Sequence, residues 1–159
     1  GSEMCIRDSP YILLCETISN LRKHQRREFY RFSCILNMSS RELVEEELSA
    51  IEQNKQYIQA GLPLRQSVVV DISGGGIRFV SDYKYENGTL IYLTYNLSSE
   101  KIQKTYNLVG KILSVKELEN RRGTFEHRVQ YINIDNQQRE EIIRYIFEEE
   151  RKNRQRKNG

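Results

Sequence analysis

The periodicity of apolar positions changes twice along this chain. FYRFSCILNM, residues 29–38, roughly alternates and is rich in aromatic and β-branched types, which predicts a strand beginning near Tyr30. The next stretch, SSRELVEEELSAIEQNKQYIQAG, is helical in pattern. Val44, Leu48, Ile51 and Ile58 recur at spacings of four, three and seven, an apolar stripe on a helix of about five turns, with Ser39 or Ser40 as its cap and Gly61 as its stop. This predicts a helical insertion at about 40–60, after the first strand. Its stripe reads as packed on the core, or else as a docking face.

Beyond Pro63 the period returns to two. QSVVVDI (66–72) and GIRFVS (76–81) flank a run of three glycines, Asn87-Gly88 marks a hairpin before TLIYLTYNL, and YNLVGKILSVKEL and FEHRVQYINI supply two more strands. Five or six strands joined by short turns argue for an antiparallel barrel or sandwich. DNQQREEIIRYIFEEERKNRQRK then reads as a C-terminal helix, with Asp135 as N-cap, Gln138 three residues on, and Ile142, Ile143, Ile146 and Phe147 as its buried face. Before all of this, Tyr11–Ile18 is a candidate strand within an otherwise irregular N-terminal stretch.

Composition narrows the class. The 159 residues are enough for one domain with a real core, and 38% hydrophobic with 30% charged residues is a globular profile. A net charge of +3 does not by itself announce a nucleic-acid binder, because 22 acidic residues offset the 25 basic ones. Cys5, Cys15 and Cys34 are odd in number and lack metal-ligand spacing, and only His24 and His127 are available. A disulfide scaffold or metal site is therefore not expected, and a reducing, cytoplasmic compartment is. The run YILLC at 11–15 is far too short for a membrane span.

Two short segments carry candidate chemistry. QRREFYR (25–31) holds Arg26, Arg27 and Arg31; in an extended segment Arg27 and Arg31 share a face and Arg26 takes the other. Guanidinium forks suit phosphate oxygens and the O6/N7 edge of guanine, and they stack on base faces. The plain alternative is a solvated basic stretch. DISGGG (71–76) ends a strand with Asp71 and Ser73 on one face, where a carboxylate and a hydroxyl can receive the N–H donors of a guanine. Gly74, Gly75 and Gly76 would permit positive φ and close backbone approach; the plain alternative is a structural turn.

Taken together, RRxxxR followed by DxSxxG resembles the signature of the PilZ domain, a family of bacterial cyclic di-GMP receptors. Arg26, Arg27 and Arg31 match the first motif, and Asp71, Ser73 and Gly76 the second. The resemblance spans residues 25–152 and implies a mainly β fold, a six-stranded antiparallel β-barrel with a C-terminal helix. It also implies that the arginine segment is a flexible loop that wraps the ligand. Arg27 and Arg31 would contact phosphate and the guanine edge, Arg26 would stack or clamp, Asp71 and Ser73 would bind a base, and Gly76 would allow its approach. An Arg at the position of Arg26 implies two intercalated ligands per chain. The chain further resembles the C-terminal half of YcgR-like flagellar brake proteins, so residues 1–24 read as an extension or the truncated remnant of a preceding domain, and 153–159 as a basic tail.

The function this implies is a noncatalytic cyclic di-GMP sensor. Its expected partner is an effector such as a flagellar motor or polysaccharide synthase component controlling motility, exopolysaccharide, adhesion or biofilm, with no DNA partner. Two other classes stay open: a ligand-independent PilZ-like adaptor that works through protein contacts, and a single-stranded nucleic-acid binder using the arginines and surface tyrosines. An enzyme is not expected, since the sequence offers no paired acid and base, no nucleophile–His arrangement and no metal cluster.

Overall fold

The computed structural model describes residues 29–158, and the compact unit that holds the barrel begins at Arg31. The candidate strand at 11–18 and two of the motif arginines, Arg26 and Arg27, lie outside the described residues. Six strands follow one another: β1 (Phe32–Glu42), β2 (Arg65–Ile72), β3 (Gly76–Ser81), β4 (Leu90–Ser98), β5 (Gln103–Glu117) and β6 (Phe125–Tyr131). They close in the order β1-β2-β3-β6-β5-β4, every neighbouring pair antiparallel. Barrel rather than sandwich is decided by β1, which pairs β2 along one edge and β4 along the other and so leaves the sheet no open edge.

Alternation along each strand fills the barrel. Met38, Val69, Ile72, Phe79, Ile91, Leu93, Leu97 and Ile112 are essentially inaccessible. Tyrosines do much of the same work: Tyr85, Tyr95, Tyr106 and Tyr131 are buried, and the Tyr95 and Tyr131 hydroxyls bond each other at 2.6 Å, so each polar tip has a partner. These four side chains are core, while Tyr30 and Tyr57 are exposed.

The insertion is shorter than its periodicity predicts. The helix, α1, is Glu45–Glu52, two turns rather than five, and Ser39 and Ser40 do not cap it. They belong to β1, where Ser39 to Glu42 pair with Thr94 to Ile91 of β4; sheet closure outweighs a local helical pattern. At the other end Asn54 takes φ +57°, ending the helical run, and Ile58 falls in the following loop. The expected stripe is accordingly not core: Leu48 and Ile58 are exposed, and Val44 and Ile51 only half-buried.

What anchors the insertion is a buried ion pair. The Arg41 guanidinium donates from Nη1 and Nη2 to the two oxygens of Glu47 at 2.7 and 2.6 Å, and Glu47 also accepts the backbone N–H groups of Val44 and Gln59. Both side chains are almost fully buried. The Arg41 hydrogen bonds outweigh the cost of burial and hold the Glu47 carboxyl down at about 2.

The C-terminal helix, α2, is Asn136–Asn158. Asp135 caps it as predicted: Asp135 Oδ1 accepts the Gln138 N–H at 2.7 Å, and Gln138 Oε1 accepts the Asp135 N–H at 3.2 Å. Its buried face is Ile142, Tyr145 and Ile146, with Ile143 half-buried, while Phe147 is 60% exposed. The prediction erred at Phe147 because it ranked apolar residues and overlooked Tyr145. Glu141 pins the helix to β5, accepting Lys104 Nζ at 2.9 Å and the Tyr106 hydroxyl at 3.0 Å.

Candidate functional site

A polar row crosses the outside of the barrel. Ser33 of β1 lies opposite Asp71 of β2, Asp71 opposite Arg78 of β3, Arg78 opposite Arg128 of β6, and Arg128 opposite Ser114 of β5. Asp71 joins this row through a register shift. Val69 pairs with Phe79 but Asp71 with Arg78, so Val70 is an extra residue in β2. Without the shift, strict alternation would carry Asp71 inward with Ser67 and Val69. Arg31, two residues before Ser33 and exposed, sits one position ahead of β1, beside the end of β2 that Ser73 follows, because Phe32 pairs with Ile72.

Arg78 is the partner that the sequence did not reveal. Its Nη2 donates to Asp71 Oδ2 at 2.7 Å, and its Nη1 lies 3.6 Å from Glu126 Oε1. The Asp71 side chain is about 10% exposed and Arg78 39%, so the carboxylate is held while the guanidinium remains partly open to solvent. The Arg78 Nε is buried without a hydrogen-bond acceptor among the described residues.

The turn after β2 is a closed hydrogen-bonded unit. Ser73 Oγ accepts the N–H groups of Gly75 and Gly76 at 3.2 Å each and donates to the Gly76 carbonyl at 3.2 Å, while Ser73 N–H donates to the same carbonyl at 2.9 Å. Both lone pairs and the proton of that hydroxyl are used. Two carbonyls fasten the turn outward: Gly75 O accepts the Tyr131 N–H at 3.0 Å, and Gly74 O accepts Arg139 Nε at 3.0 Å from the first turn of α2.

The glycines serve a different need from the one expected. None of the three has positive φ; among described glycines that conformation belongs to Gly61, Gly88 and Gly123. A Cβ on Gly76 would stand 2.0 Å from the Val129 carbonyl oxygen, so the close approach that Gly76 permits is between β3 and β6.

His127 is fully buried and stacks on Phe79 at 4.5 Å, its Nε2 accepts the Tyr85 N–H at 3.1 Å, and burial pushes its pKa down to about 4. Burial likewise pushes the Cys34 thiol up to about 12, away from thiolate chemistry. Among the described residues no cluster of three or more His, Cys, Asp or Glu side chains could hold a metal, and no helix is long and apolar enough to cross a membrane.

A closed six-stranded antiparallel barrel with a C-terminal helix, carrying Asp71, Ser73 and Gly76 at the β2–β3 turn, defines the class. The PilZ domain family model matches residues 22–148, and the chain belongs to that family. Three solved structures share the fold. They are the Bacillus subtilis inhibitor of motility MotI/DgrA (TM-score 0.59, 16% identity, 79% of this chain and 51% of that one), Escherichia coli YcgR in complex with c-di-GMP (0.61, 17%, 84% and 50%), and the PilZ domain of Escherichia coli YcgR with c-di-GMP (0.56, 15%, 84% and 98%). The chain spans about half the length of the first two. Among curated proteins, none matches the chain by sequence.

Proposed function

We propose that this protein is a cytoplasmic cyclic di-GMP receptor that acts by binding rather than catalysis. Membership of the PilZ family, together with the presence of both of its motifs, carries the reading. Two of the structures sharing the fold contain c-di-GMP.

In this reading Arg27 and Arg31 meet phosphate and the guanine edge, and Arg26 stacks on or clamps a base. Asp71, oriented by Arg78, receives guanine N–H donors. Ser73 is saturated within its turn, so it takes a base donor by exchanging one of the bonds from Gly75 or Gly76. Gly76 contributes by letting β3 lie against β6, which fixes the turn that presents both acceptors. Two ligands bind per chain. Ordering of the arginine segment on binding is the signal, and a protein effector in motility, exopolysaccharide synthesis or adhesion reads it.

Titration calorimetry tests this directly. Micromolar or tighter binding with a stoichiometry near two is expected, and Arg27→Ala, Arg31→Ala and Asp71→Ala should each weaken it by roughly tenfold or more, the effect of losing a charged hydrogen bond. A folded protein that gives no heat with cyclic di-GMP would overturn the proposal. Binding that survives replacement of all three arginines would favour a ligand-independent adaptor, and a stoichiometry near one would remove the paired-ligand part.

A further inference from the structure

The outer face of α2 is built to meet its own copy. Phe147 is the middle residue of Asn136–Asn158, and it is 60% exposed where a helix packed only on its own barrel would carry a polar side chain. Ile143 and Arg151 stand four residues to either side of it, and Glu140 and Arg154 seven, so all five share one face of the helix. These residues line a single surface depression together with Lys101, Arg144 and Glu148; Ile143 is half-buried, and Glu140, Arg151 and Arg154 are exposed. Neither Glu140 nor Arg154 is salt-bridged among the described residues.

The arrangement is complementary to itself in one orientation. Turn a second α2 end for end about Phe147, and residues equally far from the centre face each other. Phe147 then meets Phe147, the aliphatic stem of Arg151 covers Ile143, and Glu140 meets Arg154 twice, once at each end. A parallel pair in register would instead oppose Glu140 to Glu140 and Arg154 to Arg154. We infer that this face joins two copies of the chain as an antiparallel helix pair about a twofold axis at Phe147, an isologous contact that closes at the dimer.

The occupant is a second copy rather than an acidic peptide or a lipid surface because Glu140 and Arg154, seven residues to either side of Phe147, and Arg144 and Glu150, three to either side, place opposite charges in mirror order about the apolar centre. One helix face falls short of the roughly 800 Å² per partner typical of stable complexes, so the dimer forms with a dissociation constant of about 10–100 μM.

Sedimentation equilibrium across about 5–500 μM protein reads this out, with thermal unfolding by circular dichroism confirming that each variant is folded. Wild type should shift from monomer to dimer and no further. Phe147→Glu and Glu140→Arg should each stay monomeric, and Glu140→Arg combined with Arg154→Glu, which exchanges both partners, should recover the dimer. A wild type that remains monomeric throughout, species larger than a dimer, or a double exchange no better than Glu140→Arg alone would each overturn the inference. So would a monomer that binds vesicles containing anionic lipid through Phe147. Should Phe147→Glu fail to fold, the charge exchange still decides, since both positions are exposed.

Discussion

Arg78, at the centre of the polar row, holds Asp71 across the β2–β3 pair, Nη2 to Oδ2 at 2.7 Å, and so fixes the direction of its carboxylate. Because Arg78 is 39% exposed, the attraction itself adds on the order of 1 kcal/mol or less, but the Asp71 side chain is only about 10% exposed and depends on this partner. Arg78→Ala, which leaves the largely buried Asp71 carboxylate without this partner, should cost about 1–3 kcal/mol of stability and weaken cyclic di-GMP binding about three- to tenfold, less than Asp71→Ala, because a carboxylate free to turn must be ordered on binding. Paired denaturation and calorimetry measure both quantities. Unchanged affinity in Arg78→Ala would show that Asp71 needs no such orientation.

Gly76→Ala should act on the fold before it acts on any ligand. The new methyl meets a backbone carbonyl of β6, which cannot move aside as a flexible side chain would. A loss of about 2–4 kcal/mol in urea unfolding of the ligand-free protein is expected. Full stability with selective loss of nucleotide binding would mean that the ligand, not Val129, requires the glycine.

The Arg41–Glu47 pair should cost more to break than to replace. Glu47→Gln or Arg41→Met alone strands a buried charge and should cost about 3–5 kcal/mol, whereas Arg41→Met with Glu47→Leu strands no charge and should cost less, the remainder coming from the Val44 and Gln59 N–H groups that lose their acceptor. The contribution is also pH-dependent. With the Glu47 carboxyl held at about 2 against an ordinary value of 4.5, the native state favours the charged form, so the stabilisation is complete above about pH 4.5 and fades as pH falls toward 2. The stability gap between wild type and Glu47→Gln should narrow across that window, as chemical denaturation at a series of pH values would show.

His127 acts in a higher window. Its folded value near 4 lies below the ordinary 6.5, so protonation favours the unfolded chain. Stability is full above about pH 6.5 and declines as pH falls toward 4, by a few kcal/mol in total given roughly 1.4 kcal/mol per pH unit. A His127→Phe variant should lose this slope between pH 6.5 and 4 while retaining the lower one from Glu47.

Capping gives a local check on α2. Asp135→Ala should cost about 1 kcal/mol by freeing the Gln138 N–H, and Asp135→Asn or Asp135→Ser should recover most of it, since both side chains can accept the same bond.

Whatever depends on local pattern was legible in the order of residues. Alternation placed β3 at its two end residues, Gly76 and Ser81, and the other strands close to their observed positions; Asp135 with Gln138 announced the start of α2; and the paired motifs led to the family. What depends on partners distant in the chain came only from the tertiary structure. Ser39 to Glu42 carry helical signals yet became strand, because closing the barrel required β1 to reach β4. Nothing in the sequence pairs Arg41 with Glu47, which folding buries against each other. The polar row depends on an extra residue at Val70, and register shifts arise from how neighbouring strands pair rather than from composition. Gly76 was legible as a glycine that something approaches closely; that the something is the Val129 carbonyl on β6, fifty-three positions later, is a fact only a closed barrel could supply.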